Sequence, residues 1–344
     1  MKKFKVAATL TVAGVLALTA CGGDSGGSGD GGSETIALSG FSILEAANEG
    51  IFEDFQGTDA GKDVEFEPSY GASGDQSRAV VAGSEADVVH YSLETDVTRL
   101  VDEGLVAEDW RDNATNGIAT SSVVVFVVRS GNPEGIESWD DLVEPGVEII
   151  TPNPGSSGSA RWNILAAWAH GTGGADDEAA GRDFVTSLLE NVIALPGSGR
   201  EATTAFTDGS GDVLLSYENE AILARQKDTA FDYVIPDTTL LIENPCAVTE
   251  DAENPDAANA FLDFQKSAEG QTLYAETGFR PVEGVSGVDV GEVEGANDPA
   301  DPFPVIDDLF TIEKTFGGWE ATNKKFFDEN DGIITKIIAA SGKS

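Results

Sequence analysis

Thr151-Pro-Asn-Pro-Gly-Ser-Ser-Gly-Ser-Ala-Arg-Trp162 lies between an apolar strand and an apolar helix. Val147 to Ile150 reads as the strand entering the core, and beyond the loop Trp162, Leu165, Ala166 and Ala169 recur at helical spacing. The residues between are mostly small, and Ser156, Ser157 or Ser159 is placed to cap the helix. A Gly/Ser turn opening a helix brings several free backbone N–H groups and the positive end of the helix dipole to one point. That makes an anion cradle. An ordinary strand-to-helix turn is the competing reading of this loop taken alone.

Working outward, the same alternation continues in both directions. Upstream, strands are expected at Thr35–Phe41, Val64–Phe66 and Ala86–Val89, with helices over Leu44–Phe55, around Arg78–Val81 and over Asp96–Glu103. Ser121–Val128 is a nearly continuous β-branched run, which suits a strand buried on both faces. Downstream come a helix over Asp183–Glu190, a strand at Asn191–Leu195, a helix through Phe206, and strands at Asp212–Leu215 and Phe231–Ile235. The tail from Asn254 reads as mostly helical, interrupted by a Gly/Asp/Pro-rich loop from Gly284 to Pro304. Strands alternating with helices predict parallel α/β construction. The small-residue turn itself recurs at Gly71-Ala-Ser-Gly74 and Gly197-Ser-Gly199, each after a strand and before a helix, with Ser39-Gly-Phe-Ser42 a fourth instance. In open α/β sheets ligands bind just outside the carboxyl ends of strands, so converging turns of this kind point to a small anion.

The N-terminus bears on location. Lys2, Lys3 and Lys5 precede an apolar run from Val6 to Leu18, too short for an ordinary spanning helix, which is the pattern of a secretory signal. It ends in Leu18-Thr19-Ala20-Cys21, which resembles the lipobox of bacterial lipoproteins and implies residues 1–20 as signal peptide and Cys21 as the lipidated first residue. Residues 21–33, almost entirely Gly, Ser and Asp after the cysteine, read as a tether. About 310 residues remain, enough for two domains. With Cys21 committed to lipid, Cys246 has no partner for a disulfide and reads as a buried small hydrophobe. Loss of the signal, which carries three lysines and no acid, takes the net charge from −41 to −44. Nucleic acid and an anionic membrane surface are thereby poor partners. A small anion is not excluded. Surface charge is screened beyond about 8 Å, and about five to seven charge-assisted hydrogen bonds at roughly 1.5–3 kcal/mol each exceed the roughly 8 kcal/mol of micromolar binding.

Several motifs in order then resemble one family. Gly71-Ala-Ser-Gly74, Ile150-Thr-Pro-Asn-Pro154, Ser156-Ser-Gly-Ser-Ala-Arg-Trp-Asn163, Gly211-Asp-Val-Leu-Leu215, Glu218-Asn-Glu-Ala221, Phe279-Arg-Pro281 and Phe316-Gly-Gly-Trp319 are similar to the sulfate-binding proteins that feed bacterial ABC importers. The resemblance spans about Ile36 to Phe327. It implies a two-lobed periplasmic-binding-protein fold of type II, with residues 34–121 and 238–344 forming one lobe and 122–237 the other. The lobes would be joined by crossings near Ser121–Val128 and Phe231–Thr239, with the ligand in the cleft. It implies binding of sulfate, or a related tetrahedral oxyanion such as thiosulfate, phosphate, molybdate or tungstate, by uncharged donors. Those would be the hydroxyl of Ser73, the amides of Ser157, Gly158, Ser159 and Gly199, and an amide near Ser42. Tyr217 stands where the family places a tryptophan donor. A phenol can accept as well as donate, which weakens a filter against protonated oxyanions. The implied partner is a membrane ABC permease. The chain would be a monomer on the outer face of the cell membrane, without cofactor, metal or catalytic residues.

The other polar residues have plainer readings. Arg161 and Arg200 flank the loops and suit support or interlobe pairing better than a ligand clamp; Arg78 suits pairing with neighbouring acids, and Glu218 and Glu220 suit capping or interlobe bonds. His90 and His170 have no ligand neighbours at metal spacing. An extracytoplasmic sulfate or phosphate ester hydrolase is the alternative from another class, and a surface lipoprotein without ligand is a third.

Overall fold

Two long strands organise the chain. The computed structural model describes residues 34–343 apart from residue 228; the signal peptide, Cys21 and the tether lie outside the described residues. In order the elements are β1 (Glu34–Phe41), α1 (Glu45–Gln56), β2 (Val64–Gly71), α2 (Ser73–Val81), β3 (Val88–His90), α3 (Glu94–Asp102), β4 (Ile118–Arg129), β5 (Ile149–Ile150), α4 (Gly158–Thr172), α5 (Glu178–Asn191), β6 (Val192–Ala194), α6 (Gly199–Thr207), β7 (Val213–Tyr217), α7 (Glu218–Gln226), β8 (Phe231–Val234), β9 (Thr238–Val248), α8 (Pro255–Gln265), α9 (Ala268–Glu276), β10 (Asp308–Phe310), α10 (Trp319–Phe326) and α11 (Ile333–Ser341).

The sheet order is β2-β1-β3-β9-β4-β7-β5-β6, with β8 on β4 and β10 on β9. β2, β1 and β3 run parallel, as do β7, β5 and β6. β4 and β9 join these groups. The first half of β4, Ile118–Val123, pairs antiparallel with Leu241–Pro245 of β9, while its second half, from Val124, pairs with β7 and β8. β9 in turn meets β3 over Cys246–Val248. β4 is buried along all but its two end residues, as its β-branched run predicts. The expected crossing at Ser121–Val128 lies within β4, and that at Phe231–Thr239 covers β8 and the start of β9.

β9 is the strand that the sequence reading passed over. Glu243, Asn244 and Pro245 interrupt its apolar pattern, and Pro245 sits where the β4–β9 register shifts, a place that tolerates a missing N–H. Asn244 and Thr239 are fully buried but bonded: Asn244 Nδ2 donates to Ser92 O at 3.1 Å and Thr239 Oγ1 to Val124 O at 2.6 Å. Cys246 is buried as expected, its thiol against Gln265 Oε1 at 3.3 Å, and burial pushes its pKa up to about 12.

His90 lies in the same polar seam, between Thr120 Oγ1 at 3.2 Å and the Gln265 amide. Burial, with a smaller contribution from Lys266, pushes its pKa from 6.5 down to about 3. The unfolded chain therefore takes up a proton near pH 6.5 that the folded chain refuses, so His90 lowers stability progressively as pH falls from about 6.5 towards 3. A His90→Gln variant is expected to lose this part of the acid sensitivity. Urea midpoints at pH 7 and pH 5 test it: the difference between the two pH values shrinks in the variant, and an unchanged difference refutes the assignment.

Candidate functional site

Five elements start at the carboxyl ends of strands and close on one another. A 3-10 turn, Ser42–Leu44, follows β1; α2 follows β2; α4 follows the β5 loop; α6 follows β6; and Tyr217 at the end of β7 is the N-cap residue of α7. This is the placement expected of a ligand site in an open α/β sheet.

Named contacts tie the loops together. Gly74 N–H donates to Ser156 O at 3.2 Å, joining the start of α2 to the loop before α4. Ser156 Oγ donates to Gly197 O at 2.7 Å, and Asn153 N–H to Pro196 O at 2.7 Å, joining that loop to the one before α6. A methyl group on Gly199 would stand 2.8 Å from Ser159 Oγ and 2.9 Å from Ile43 Cδ1, so the starts of α4, α6 and the 3-10 turn touch. A methyl on Gly158 would meet Ser92 Oγ at 2.4 Å. Ser92 is the common centre. Its N–H donates to Ser73 Oγ at 2.9 Å, its carbonyl accepts from Trp162 Nε1 at 3.0 Å, and its hydroxyl lies 2.8 Å from Tyr217 Oη. All the expected residues (Ser42, Ser73, Ser157, Gly158, Ser159, Gly199 and Tyr217) therefore belong to one knot of loops, and those with side chains are buried.

Two details differ from the sequence reading. Ser157 is the N-cap residue of α4, yet no side chain caps that helix. The hydroxyls of Ser157 and Ser159 bond each other at 2.8 Å and that of Ser156 is drawn to Gly197, so the first-turn N–H groups of α4 are left to another acceptor. Ser73 Oγ donates to Asp96 Oδ2 at 2.6 Å while it accepts from Ser92, so its proton is already held. Sequence reasoning missed Ser92 and Asp96.

The charged neighbours support the loops from outside. Arg161 Nε donates to Pro154 O at 2.9 Å and Nη1 to Asn323 Oδ1 at 2.6 Å; burial lowers its pKa. Arg200 Nη1 lies 3.0 Å from Glu220 Oε1, and Arg280 grips Glu218 with both nitrogens, at 2.6 and 3.0 Å. Burial raises the pKa of both glutamates against the opposing pull of these arginines. Arg78 pairs with Asp75, and His170 lies 3.2 Å from Asp140. Burial also holds the Tyr217 phenol well above its ordinary pKa, so it is a neutral donor or acceptor. Among the described residues no cluster of His, Cys, Asp and Glu could hold a metal ion, and no helix is long and apolar enough to cross a membrane.

The profile of a family described as bacterial extracellular solute-binding protein matches residues 42–280, which takes in every loop of the knot. The chain belongs to this family. The solute-binding protein is 40% identical to a sulfate-binding protein of Synechococcus elongatus over 98% of this chain and 97% of the relative. It is 35% identical to a thiosulfate-binding protein of Pseudomonas aeruginosa over 84% of this chain and 86% of the relative. Among solved structures, the sulfate-binding protein SubI from Mycobacterium tuberculosis H37Rv superposes with a TM-score of 0.79 at 46% identity, over 86% of this chain and all of that one. The architecture is the two-lobed, type II periplasmic-binding-protein fold, with β4 and β9 as the long connecting strands. The solute-binding protein is accordingly a receptor and not an enzyme.

Proposed function

We propose that the chain is an extracytoplasmic receptor that captures sulfate between two lobes and delivers it to an ABC import permease. The observation that carries this reading is the convergence of the starts of α2, α4 and α6 and the Ser42 turn around Ser92 and Tyr217, with uncharged groups facing inward. Helix starts with free N–H groups suit a dianion; Arg280 is engaged with Glu218 and Arg161 with main-chain oxygen, while Arg200 lies 3.0 Å from Glu220 with its Nε and Nη2 buried and without a hydrogen-bond partner. The lobes are residues 34–121 with 238–344, and 122–237. The amides of Gly158, Ser159 and Gly199 and one near Ser42 hold the anion; that of Ser157, expected to join them, is already bonded to Asn153 O at 2.8 Å. Ser73 contributes its main-chain N–H, since Asp96 holds its hydroxyl proton. Closure of the lobes around the anion is the signal that the permease reads. The lipobox-like Leu18–Cys21 supports a lipid anchor at Cys21, with the receptor acting as a monomer.

Calorimetric titration of the chain without its lipid, at fixed ionic strength, tests this. Sulfate is expected to bind saturably in the micromolar range with inorganic phosphate silent. Binding of thiosulfate, phosphate or molybdate in place of sulfate moves the specificity, and silence of all four oxyanions overturns the receptor. Tyr217→Phe is expected to weaken sulfate about tenfold, the loss of one hydrogen-bond donor. An unchanged affinity would show that Tyr217 serves only to hold Ser92.

A further inference from the structure

Behind the loop knot lies an open cleft of about 560 Å³, between α2, α3, the start of α4 and the C-terminal helices. Its lining inverts the character of the chain. Four bases, Arg78, Arg99, Arg161 and Lys343, and two acids, Asp328 and Glu329, line it, with Asp75 and Asp96 paired to the first two arginines from behind and the Lys343 amino group on main-chain carbonyls of α5, whereas the whole sequence has 61 acidic and 20 basic residues. The opposite wall is apolar: Phe327, Ile334, Ile338 and Ala339. The volume lies within the roughly 300–1,000 Å³ of small-molecule sites.

The arginines are held apart from different directions. Arg99 is tied to Asp96 and Ser77 and Arg78 to Asp75, while Arg161 lies over the Phe327 ring at 4.9 Å with Asn323 fixing its outer nitrogen. Burial is what chiefly disfavours the charged form of Arg161; the Asp96 carboxylate opposes it, and the nearby charges of Arg99 and Arg78 add to it, so an anion entering beside Arg161 meets a desolvated guanidinium. Inorganic anions would leave the apolar wall in contact with water. A ligand with one anionic group and a compact apolar body satisfies both walls.

We propose that this cleft is a second binding site, distinct from the loop knot, for a small organic anion: an aryl or alkyl sulfonate or carboxylate. Such a ligand would touch Arg78 and Arg99 on one side and Arg161, which lies on α4 just beyond Ser159, on the other. Its binding is therefore coupled to that of the oxyanion, and the coupling is reciprocal.

The probe is 2-naphthalenesulfonate, titrated by calorimetry into the full chain with its neutral near-isostere naphthalene-2-sulfonamide as comparison. One saturable site is expected, with the sulfonamide at least about tenfold weaker, as removal of a charge-assisted contact requires. Added sulfate, with ionic strength held by chloride, is expected to change the apparent affinity only to a plateau. A change that grows without limit with sulfate means that the probe enters the loop knot and overturns the proposal. Arg78→Glu and Ile338→Asp, one on each wall, are each expected to weaken the probe at least about tenfold. Unchanged binding in both, equal binding of the sulfonamide, or no saturable binding at all, each overturns it. The sulfonamide comparison and the two variants read the cleft whichever oxyanion the loop knot takes.

Discussion

Replacement of Gly158 by alanine is expected to weaken oxyanion binding by at least about a hundredfold, near 2.7 kcal/mol, while the chain still folds. The added methyl would lie 2.4 Å from Ser92 Oγ, 2.5 Å from Ser92 Cβ and 3.0 Å from Leu93 Cγ. Real Cβ atoms do not approach so closely, and overpacking of this kind typically costs about 1–3 kcal/mol. The strain has a cheap release. Gly158 belongs to α4, whereas Ser92 follows β3, and these elements lie in the two strand groups that β4 and β9 connect. Parting them relieves the clash without disturbing either group. It also pulls the first-turn amides of α4 away from Ser73, the 3-10 turn and Ser92. The readout is a pair of melting curves with and without ligand. The unliganded Tm should move little, and the rise produced by saturating oxyanion should vanish. A normal ligand-induced rise in Gly158→Ala would remove the loop knot from consideration as the binding site.

What the sequence reveals of this architecture is uneven for physical reasons. The first, fourth and seventh strands are legible because β-branched and apolar residues run through them with turn residues at their ends. The three small-residue loops are legible because glycine and serine there answer to a backbone demand: Gly158 and Gly199 have no room for a side chain. β9 is hidden because its residues serve partners distant in sequence. Asn244 belongs to Thr120 and Ser92, 124 and 152 residues away, and a local pattern cannot show that a polar residue is buried and satisfied. Ser92 is hidden for a related reason. It touches Ser73, Gly158, Trp162 and Tyr217, yet none of these contacts leaves a mark on its immediate neighbours in sequence. The role expected of the Ser73 hydroxyl changes with Asp96, whose position 23 residues on is set by the fold alone.

The largest loss of stability is expected from Arg280→Ala. Glu218 is wholly buried at the first position of α7, directly after Tyr217, and Arg280 holds both of its oxygens. The main chain of Arg280 also donates N–H to the Ser121 carbonyl at 2.8 Å, while its side chain reaches Pro304 O at 3.0 Å and so joins α7 to the end of the Gly284–Pro304 loop. Removing one partner of a buried pair leaves an uncompensated charge, at about 3–5 kcal/mol. At roughly 2 °C per kcal/mol for a chain of this size, Tm falls by roughly 6–10 °C. Burial already raises the pKa of Glu218 with Arg280 present, and loss of the arginine raises it further. A carboxyl whose folded pKa lies above its unfolded value contributes stability below the ordinary carboxylate range and loses it as pH rises through the folded pKa. The gap in Tm between Arg280→Ala and the parent should therefore be widest near neutral pH and narrow as pH falls towards 4. The double variant Glu218→Leu, Arg280→Met should recover most of the loss, because an apolar pair of similar volume carries no desolvation cost. A gap that stays constant from pH 7 to pH 4 would place the damage in the lost side-chain contacts to Pro304 O and the Phe303 ring and not in the unpaired carboxylate.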